Sequence, residues 1–205
     1  MAESDDHELA HRLATEAGAM LVDLRCQLTE EGATPAGLKA AGDRSAHLML
    51  MEALAEARPD DAVLSEEGRD NLGRLDADRV WIIDPLDGTR EFSEVPRIDW
   101  AVHVALVEDG QPTAGAVALP AVGVTHSTAQ PPQILAEPNR PPRLAVTRTR
   151  PFLEAMALAD ELDADLMPMG SAGAKSMAVA TGLVDCYPHA GGQYEWDSCA
   201  PVAVA

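Results

Sequence analysis

Two aspartates, Asp84 and Asp87, stand three residues apart in the run Trp81-Ile82-Ile83-Asp84-Pro85-Leu86-Asp87-Gly88-Thr89. Val80 to Ile83 reads as a buried strand that ends at Asp84, because Pro85 cannot donate to a strand ladder. A tight turn then aims both carboxylates at one point, and the Leu86 carbonyl between them can face the same way. Three hard oxygens, with no His or Cys among them, select magnesium, manganese or calcium over zinc. Gly88 permits close backbone approach, and a helix starting at Thr89 would offer free N–H groups to an anion such as phosphate. A metal site beside an anion site suits phosphate chemistry. The same residues also make an ordinary turn, since Asp, Pro and Gly are the standard turn formers.

Two further acidic segments bear on that choice. Ser65-Glu66-Glu67 follows a short strand, Ala62 to Leu64, whose end could deliver a carboxylate to the same edge; a Glu pair alone is usually solvated surface. In Trp196-Asp197-Ser198-Cys199-Ala200-Pro201, Asp197 opens an apolar helical segment after Gly191-Gly192, where a helix cap is its ordinary role.

The elements that must position these residues follow from periodicity. Leu9, Leu13, Ala17, Met20, Leu21 and Leu24 recur at helical spacing from His7 to Glu30, with Asp5-Asp6 as the cap. A loop from Gly32 to Gly42 leads into a second helix, Asp43 to Ala57, which puts Asp43 at a helix N-terminus. Strands are expected at 62–64, 80–84, 100–107, 113–118 and 122–128, forming an antiparallel sheet. Gln130 to Pro142 holds five prolines and no periodic pattern, which marks a boundary near 140. Beyond it, strands at 144–147, 165–169 and 184–188 alternate with helices at 151–162 and 172–181. The chain thus reads as an α+β unit at 1–140 with most of the acidic sites, followed by an α/β unit at 141–205.

Acidic residues outnumber basic ones 34 to 15, for a formal charge of -19, so a nucleic-acid polymer is not an expected partner. No apolar run reaches membrane-spanning length, and the N-terminus lacks a signal pattern. The three cysteines are scattered and suit reduced thiols, so a cytoplasmic location is expected.

Together the acidic segments resemble the lithium-sensitive, magnesium-dependent phosphatase superfamily of inositol monophosphatases, fructose bisphosphatases and 3'(2'),5'-bisphosphate nucleotidases. Its acidic pair appears as Glu66-Glu67, its central motif as Asp84 to Thr89, and its C-terminal motif as Trp196 to Pro201, in the same order. The resemblance implies the layered αβαβα sugar-phosphatase fold and two or three Mg2+ ions as cofactors. By it, Glu66, Asp84 and the Leu86 carbonyl would hold one ion, and Asp84, Asp87 and Asp197 a second. Asp43 and Thr89 would form a hydrogen-bonded pair that, with Glu66, orients and deprotonates the attacking water. The N–H groups of Gly88 and Thr89 would receive the scissile phosphate, and lithium should inhibit.

Thr89-Arg90-Glu91-Phe92 looks like the nucleotidase branch, closest to actinobacterial proteins of the CysQ type, and points to 3'-phosphoadenosine 5'-phosphate. Gly170-Ser171-Ala172-Gly173-Ala174-Lys175 is similar to that branch's nucleotide-binding turn, so Arg90, Gly170, Ser171 and Lys175 become candidate substrate contacts. Lys175 is one of only two lysines in the chain, whereas Arg90 could equally make a surface ion pair. Inositol-1-phosphate and fructose-1,6-bisphosphate phosphatases share the ligand set and stay as alternatives. Relatives continue past the Trp-Asp motif, while this chain stops eight residues after Asp197. A truncated, non-catalytic fragment is therefore a further alternative, whose exposed sheet edge would favour association such as a homodimer.

Overall fold

The computed structural model describes residues 3–134, 137, 140–149 and 151–205. Two long helices open it, α1 (Ser4–Glu30) and α2 (Pro35–Ala57). The Asp6 carboxyl accepts the Glu3 N–H at 3.0 Å, so Glu3 occupies the cap position and Asp6 acts from inside the first turn of α1. The second helix begins at Pro35, not at Asp43. Thr34 Oγ1 accepts the Gly37 N–H at 3.2 Å, and Pro35 follows at a position where no donor is needed. Asp43 therefore lies inside α2. Gly42, which reads as a loop residue, is a close-approach site: a Cβ there would lie 2.7 Å from Leu86 Cδ2 and 2.8 Å from Phe92 Cε1.

Five strands form the main sheet in chain order: β1 (Ala62–Ser65), β2 (Arg79–Asp87), β3 (Ala101–Glu108), β4 (Gln111–Leu119) and β5 (Val124–Ser127). The sheet is mixed, because β1 runs parallel to β2 while the remaining pairs are antiparallel. Between β2 and β3 stands the short helix α3 (Thr89–Ser93). Pro85 does not end β2; the ladder shifts register between Asp84 and Asp87, and the strand carries on to Asp87. At the opposite end of β2, the Arg79 guanidinium reaches Asp61, Asp6 and Glu108 at 3.0, 3.0 and 2.9 Å, tying the strand to its neighbours and to α1.

Side-chain parity sorts the two faces of this sheet. Trp81 and Ile83 of β2, Val102, Val104 and Leu106 of β3, and Ala114, Ala116 and Ala118 of β4 join the core under α1 and α2. The alternate residues, including Ala101, Ala105 and Val117, face the other way, toward Ala200 and Val204. Those two belong to the last helix, α6 (Glu195–Val204).

The rest of the chain is a parallel pair, β6 (Arg143–Thr147) and β7 (Asp165–Met169), with α4 (Leu153–Leu162), α5 (Ala172–Ala180) and α6 (Glu195–Val204). The expected strand at 184–188 reduces to a single bridge, Leu144 to Cys186. Helix α5 joins the layers, since Met177 enters the α6 core and Ala178 packs with Ala145 of β6. The architecture is a mixed α/β layering of helices, sheet, helices, short sheet and helix. Residues 135, 136, 138 and 139 of the expected boundary near 140 lie outside the described residues.

Gly42→Ala tests the seating of α2 on the loop after β2. The added methyl raises helix propensity by about 1 kcal/mol, but overpacking against Leu86 and Phe92 costs about 1–3 kcal/mol. A net loss of about 1 kcal/mol is expected in chemical denaturation, and a variant clearly more stable than the parent would contradict the close approach.

Candidate metal centre

Asp84 shares the parity of Val80 and Ile82, so it leaves β2 on the face turned away from α1 and α2. It is 2% exposed, and its Oδ1 accepts the Leu86 N–H at 3.1 Å. Glu66, just past β1, brings its carboxyl beside Asp84, while its backbone N–H donates to Ile83 O at 3.3 Å. Burial, then the charges of Asp87 and Glu66, hold the Asp84 carboxyl well above the ordinary carboxylate range. Glu66 is raised as well, by burial and by the charges of Glu67, Asp87 and Asp197, with the nearby Asp84 carboxyl pulling the other way.

Asp87 is placed very differently. The N–H groups of Ala172 and Gly173, at the start of α5, donate to it at 3.2 and 2.6 Å. His103 Nε2 lies 3.2 Å from Asp87 Oδ2, an ion-pair contact rather than an aligned hydrogen bond. Burial alone would raise Asp87, but His103, the Gly173 N–H and Ser171 outweigh it and hold the carboxyl below its ordinary value. His103 is itself raised: desolvation lowers it, and Asp87 and the Trp196 carbonyl overcome that.

Asp43 and Thr89, read from the sequence as a pair, do meet. Thr89 Oγ1 lies 3.1 Å from Asp43 Oδ1 and 3.1 Å from the Leu86 carbonyl oxygen, with one proton to give to either. Burial and the Glu67 charge push Asp43 up to about 6, against the pull of Thr89 and Lys39. Asp197 sits in the first turn of α6, where its Oδ2 accepts the Tyr194 N–H at 2.8 Å. It thus fills the helix-cap role, and its charge also bears on Asp84 and Glu66.

Ligand atoms of Asp84, Asp87 and His103 lie within 4.8 Å of one another, the candidate metal group among the described residues. Glu66 and Asp197 stand at its margin. His103 stands beside the carboxylates, a neighbour the sequence reading did not include; its signal was a single polar residue in the apolar run Ala101 to Val107. A divalent cation fits this donor set, because the raised carboxyls of Asp84 and Glu66 lack compensating positive charge and their oxygens are hard ligands.

Beside the carboxylates lies a cavity of about 350 Å³ lined by Asp87, Asp197, Gly170, Lys175, Tyr187 and neighbours. Lys175 is 4% exposed; its Nζ donates to the Gly170 carbonyl at 2.6 Å and lies 5.0 Å over the Tyr187 ring. Ser171 caps α5 by accepting the Ala174 N–H at 2.8 Å. Gly88, at φ +84°, passes so close that a Cβ would lie 2.9 Å from Ser171 Cβ. Arg90 is not gathered here: its exposed guanidinium donates to Glu94 at 3.0 Å, the surface pairing that the sequence left open.

This chain belongs to the inositol monophosphatase family, whose model matches residues 4–205. Within it, the chain is 50% identical over 197 residues to a 3'-phosphoadenosine 5'-phosphate phosphatase of Mycobacterium tuberculosis (strain CDC 1551 / Oshkosh), a match covering 92% of this chain and 73% of the relative. It is 32% identical over 176 residues to the 3'(2'),5'-bisphosphate nucleotidase CysQ of Escherichia coli (strain K12), covering 80% and 71%. In fold it resembles the crystal structure of CysQ from Bacteroides thetaiotaomicron, with a TM-score of 0.83 at 23% identity over 98% of this chain and 85% of the other.

The raised Asp43 carboxyl sets a pH test on metal-free protein. A group whose folded-state value lies above its unfolded one gives stability that is complete below about 3.8 and is withdrawn as pH climbs through about 6. Asp43→Asn removes that loss. Melting in a chelator should show the variant level with the parent near pH 4 and ahead by about 1 kcal/mol at pH 8 after solvent screening. A variant that loses ground between those pH values would contradict the assignment.

Proposed function

We propose that the protein is a magnesium-dependent phosphomonoesterase that hydrolyses the 3'-phosphate of 3'-phosphoadenosine 5'-phosphate to give adenosine 5'-phosphate and inorganic phosphate. The observation that carries this reading is the 50% identity, over most of both chains, to a relative named for that substrate. The convergence of Asp84 and Asp87 at a strand end, with the Glu66 carboxyl beside Asp84, supports it independently. In this reading residues 1–140 supply most of the site and residues 141–205 supply Asp197 and the substrate turn.

Two or three magnesium ions, when bound, would neutralise charge on the substrate and lower the pKa of an attacking water. Glu66, Asp84 and the Leu86 carbonyl would hold one, and Asp84, Asp87 and Asp197 another. The Leu86 oxygen keeps a lone pair free for this beside the Thr89 contact. With its proton directed to Asp43, Thr89 Oγ1 presents lone pairs that accept from the water and orient it for in-line attack on phosphorus. Asp43, at about 6, is ionised at neutral pH yet basic enough to take up the proton relayed through Thr89. The Gly88 and Thr89 N–H groups would face the scissile phosphate. Lys175, in the adjoining cavity, would leave the Gly170 carbonyl to meet the second phosphate of the nucleotide.

A panel of phosphate esters with Mg2+ tests the substrate. The adenosine bisphosphate should give the highest kcat/KM. A higher value for inositol-1-phosphate or fructose-1,6-bisphosphate would transfer the activity to that alternative, and no release from any of them would end the enzymatic reading. Asp84→Asn should lower kcat at least about 100-fold while leaving metal-free melting as high as the parent's, because a neutral amide relieves a buried carboxylate. Near-normal turnover in this variant would remove Asp84 from the site.

A further inference from the structure

His103 is fully buried in a strand whose other residues from Ala101 to Val107 are all Ala, Val or Leu, and its neighbours are sized for it. Ala101 and Ala105, two positions to either side on the same face, are small, and Gly173 stands across from the ring. A Cβ on Gly173 would come 2.1 Å from His103 Nε2 and 3.1 Å from Ala101 Cβ, so the space exists only because both residues are minimal. Burying an imidazole costs free energy unless each nitrogen finds a partner. Nδ1 finds one in the Trp196 carbonyl oxygen at 2.9 Å, while Nε2 faces Asp87 Oδ2 at 3.2 Å in a close contact that is not an aligned hydrogen bond.

These two partners belong to segments that the sequence keeps far apart. Asp87 arrives at the end of β2, and Trp196 directly precedes Asp197 in the first turn of α6. His103 itself lies between them on β3, with Asp84 as its cross-strand partner. The ring therefore spans the gap between the carbonyl just ahead of Asp197 and the Asp87 carboxyl. We propose that His103 is a positioning residue that ties Asp87 to the first turn of α6 and thereby sets the separation of Asp87 and Asp197 across the metal site.

The inference rests on the metal-site reading above, and it distinguishes a strut from a mere filler of the core. Asparagine can reproduce only the Nδ1 contact and glutamine only the Nε2 contact, while both retain a polar side chain of similar reach. Mn2+ binding to the substrate-free protein, followed by electron paramagnetic resonance, gives a readout separate from turnover. His103→Asn and His103→Gln should each bind Mn2+ about 10-fold more weakly than the parent, and His103→Ala at least as weakly, with metal-free melting used to identify the folded variants. A folded Asn or Gln variant with parental Mn2+ affinity overturns the strut. A parent protein that binds no Mn2+ overturns the metal-site reading instead, and the strut with it.

Discussion

Carboxylates brought together at the end of a buried strand repel one another, and the surrounding elements differ in how they meet that repulsion. Two unit charges about 5 Å apart repel by roughly 3 kcal/mol at an effective dielectric of about 20. Asp87 is relieved by donors, namely two N–H groups from the start of α5 and the His103 ring. Asp84 has the Leu86 N–H and a second acid, Glu66, for company. The unrelieved repulsion thereby falls on Asp84 and Glu66, which hold their protons more tightly than ordinary carboxyls, and there a cation gains most. The loop gives a pair of neighbouring aspartates opposite characters through their partners alone.

The strand that carries this loop is pinned at its other end by the reverse arrangement. There one arginine, Arg79, is surrounded by three acids from α1, the start of β1 and the end of β3. Ion pairs of this partly exposed kind contribute modestly to stability, but four segments meeting at one guanidinium fix how far β2 can slide. Sliding by one residue would exchange Ile83 with Asp84 between the α1/α2 core and the opposite face. The position of the acidic loop is therefore set by register as well as by contacts within the loop.

The acidic loop was legible because strand, proline, glycine and acid spacing occur within a few residues. The features that escaped depend on contacts distant in sequence. Gly37 and Gly42 read as breakers, yet Thr34 and Pro35 start α2 before them, and Gly42 is small because Leu86 and Phe92 press against it. The parallel pairing of β1 with β2 was hidden because the connection between them, residues 66–78, contains a short 3-10 turn instead of the crossover helix that usually announces such a pair. His103 left a faint trace, since β3 is buried on both faces and so lacks the alternation that would show one residue to be out of place. Arg90 was the opposite case: its neighbourhood in sequence suggested the site, and in the structure it pairs at the surface with Glu94, an i,i+4 acid just past the end of the same short helix.

The distances along the chain at which the centre is closed have a kinetic meaning. Asp87 meets the Gly173 amide across 86 residues, and His103 meets the Trp196 carbonyl across 93. Contacts of such separation form only after most of the chain-closure entropy has been spent. A nascent or partly folded chain therefore presents a divalent cation with isolated acids rather than a site. A bound cation acts on the native side of the folding barrier, slowing escape from the finished structure while leaving the rate of reaching it almost unchanged.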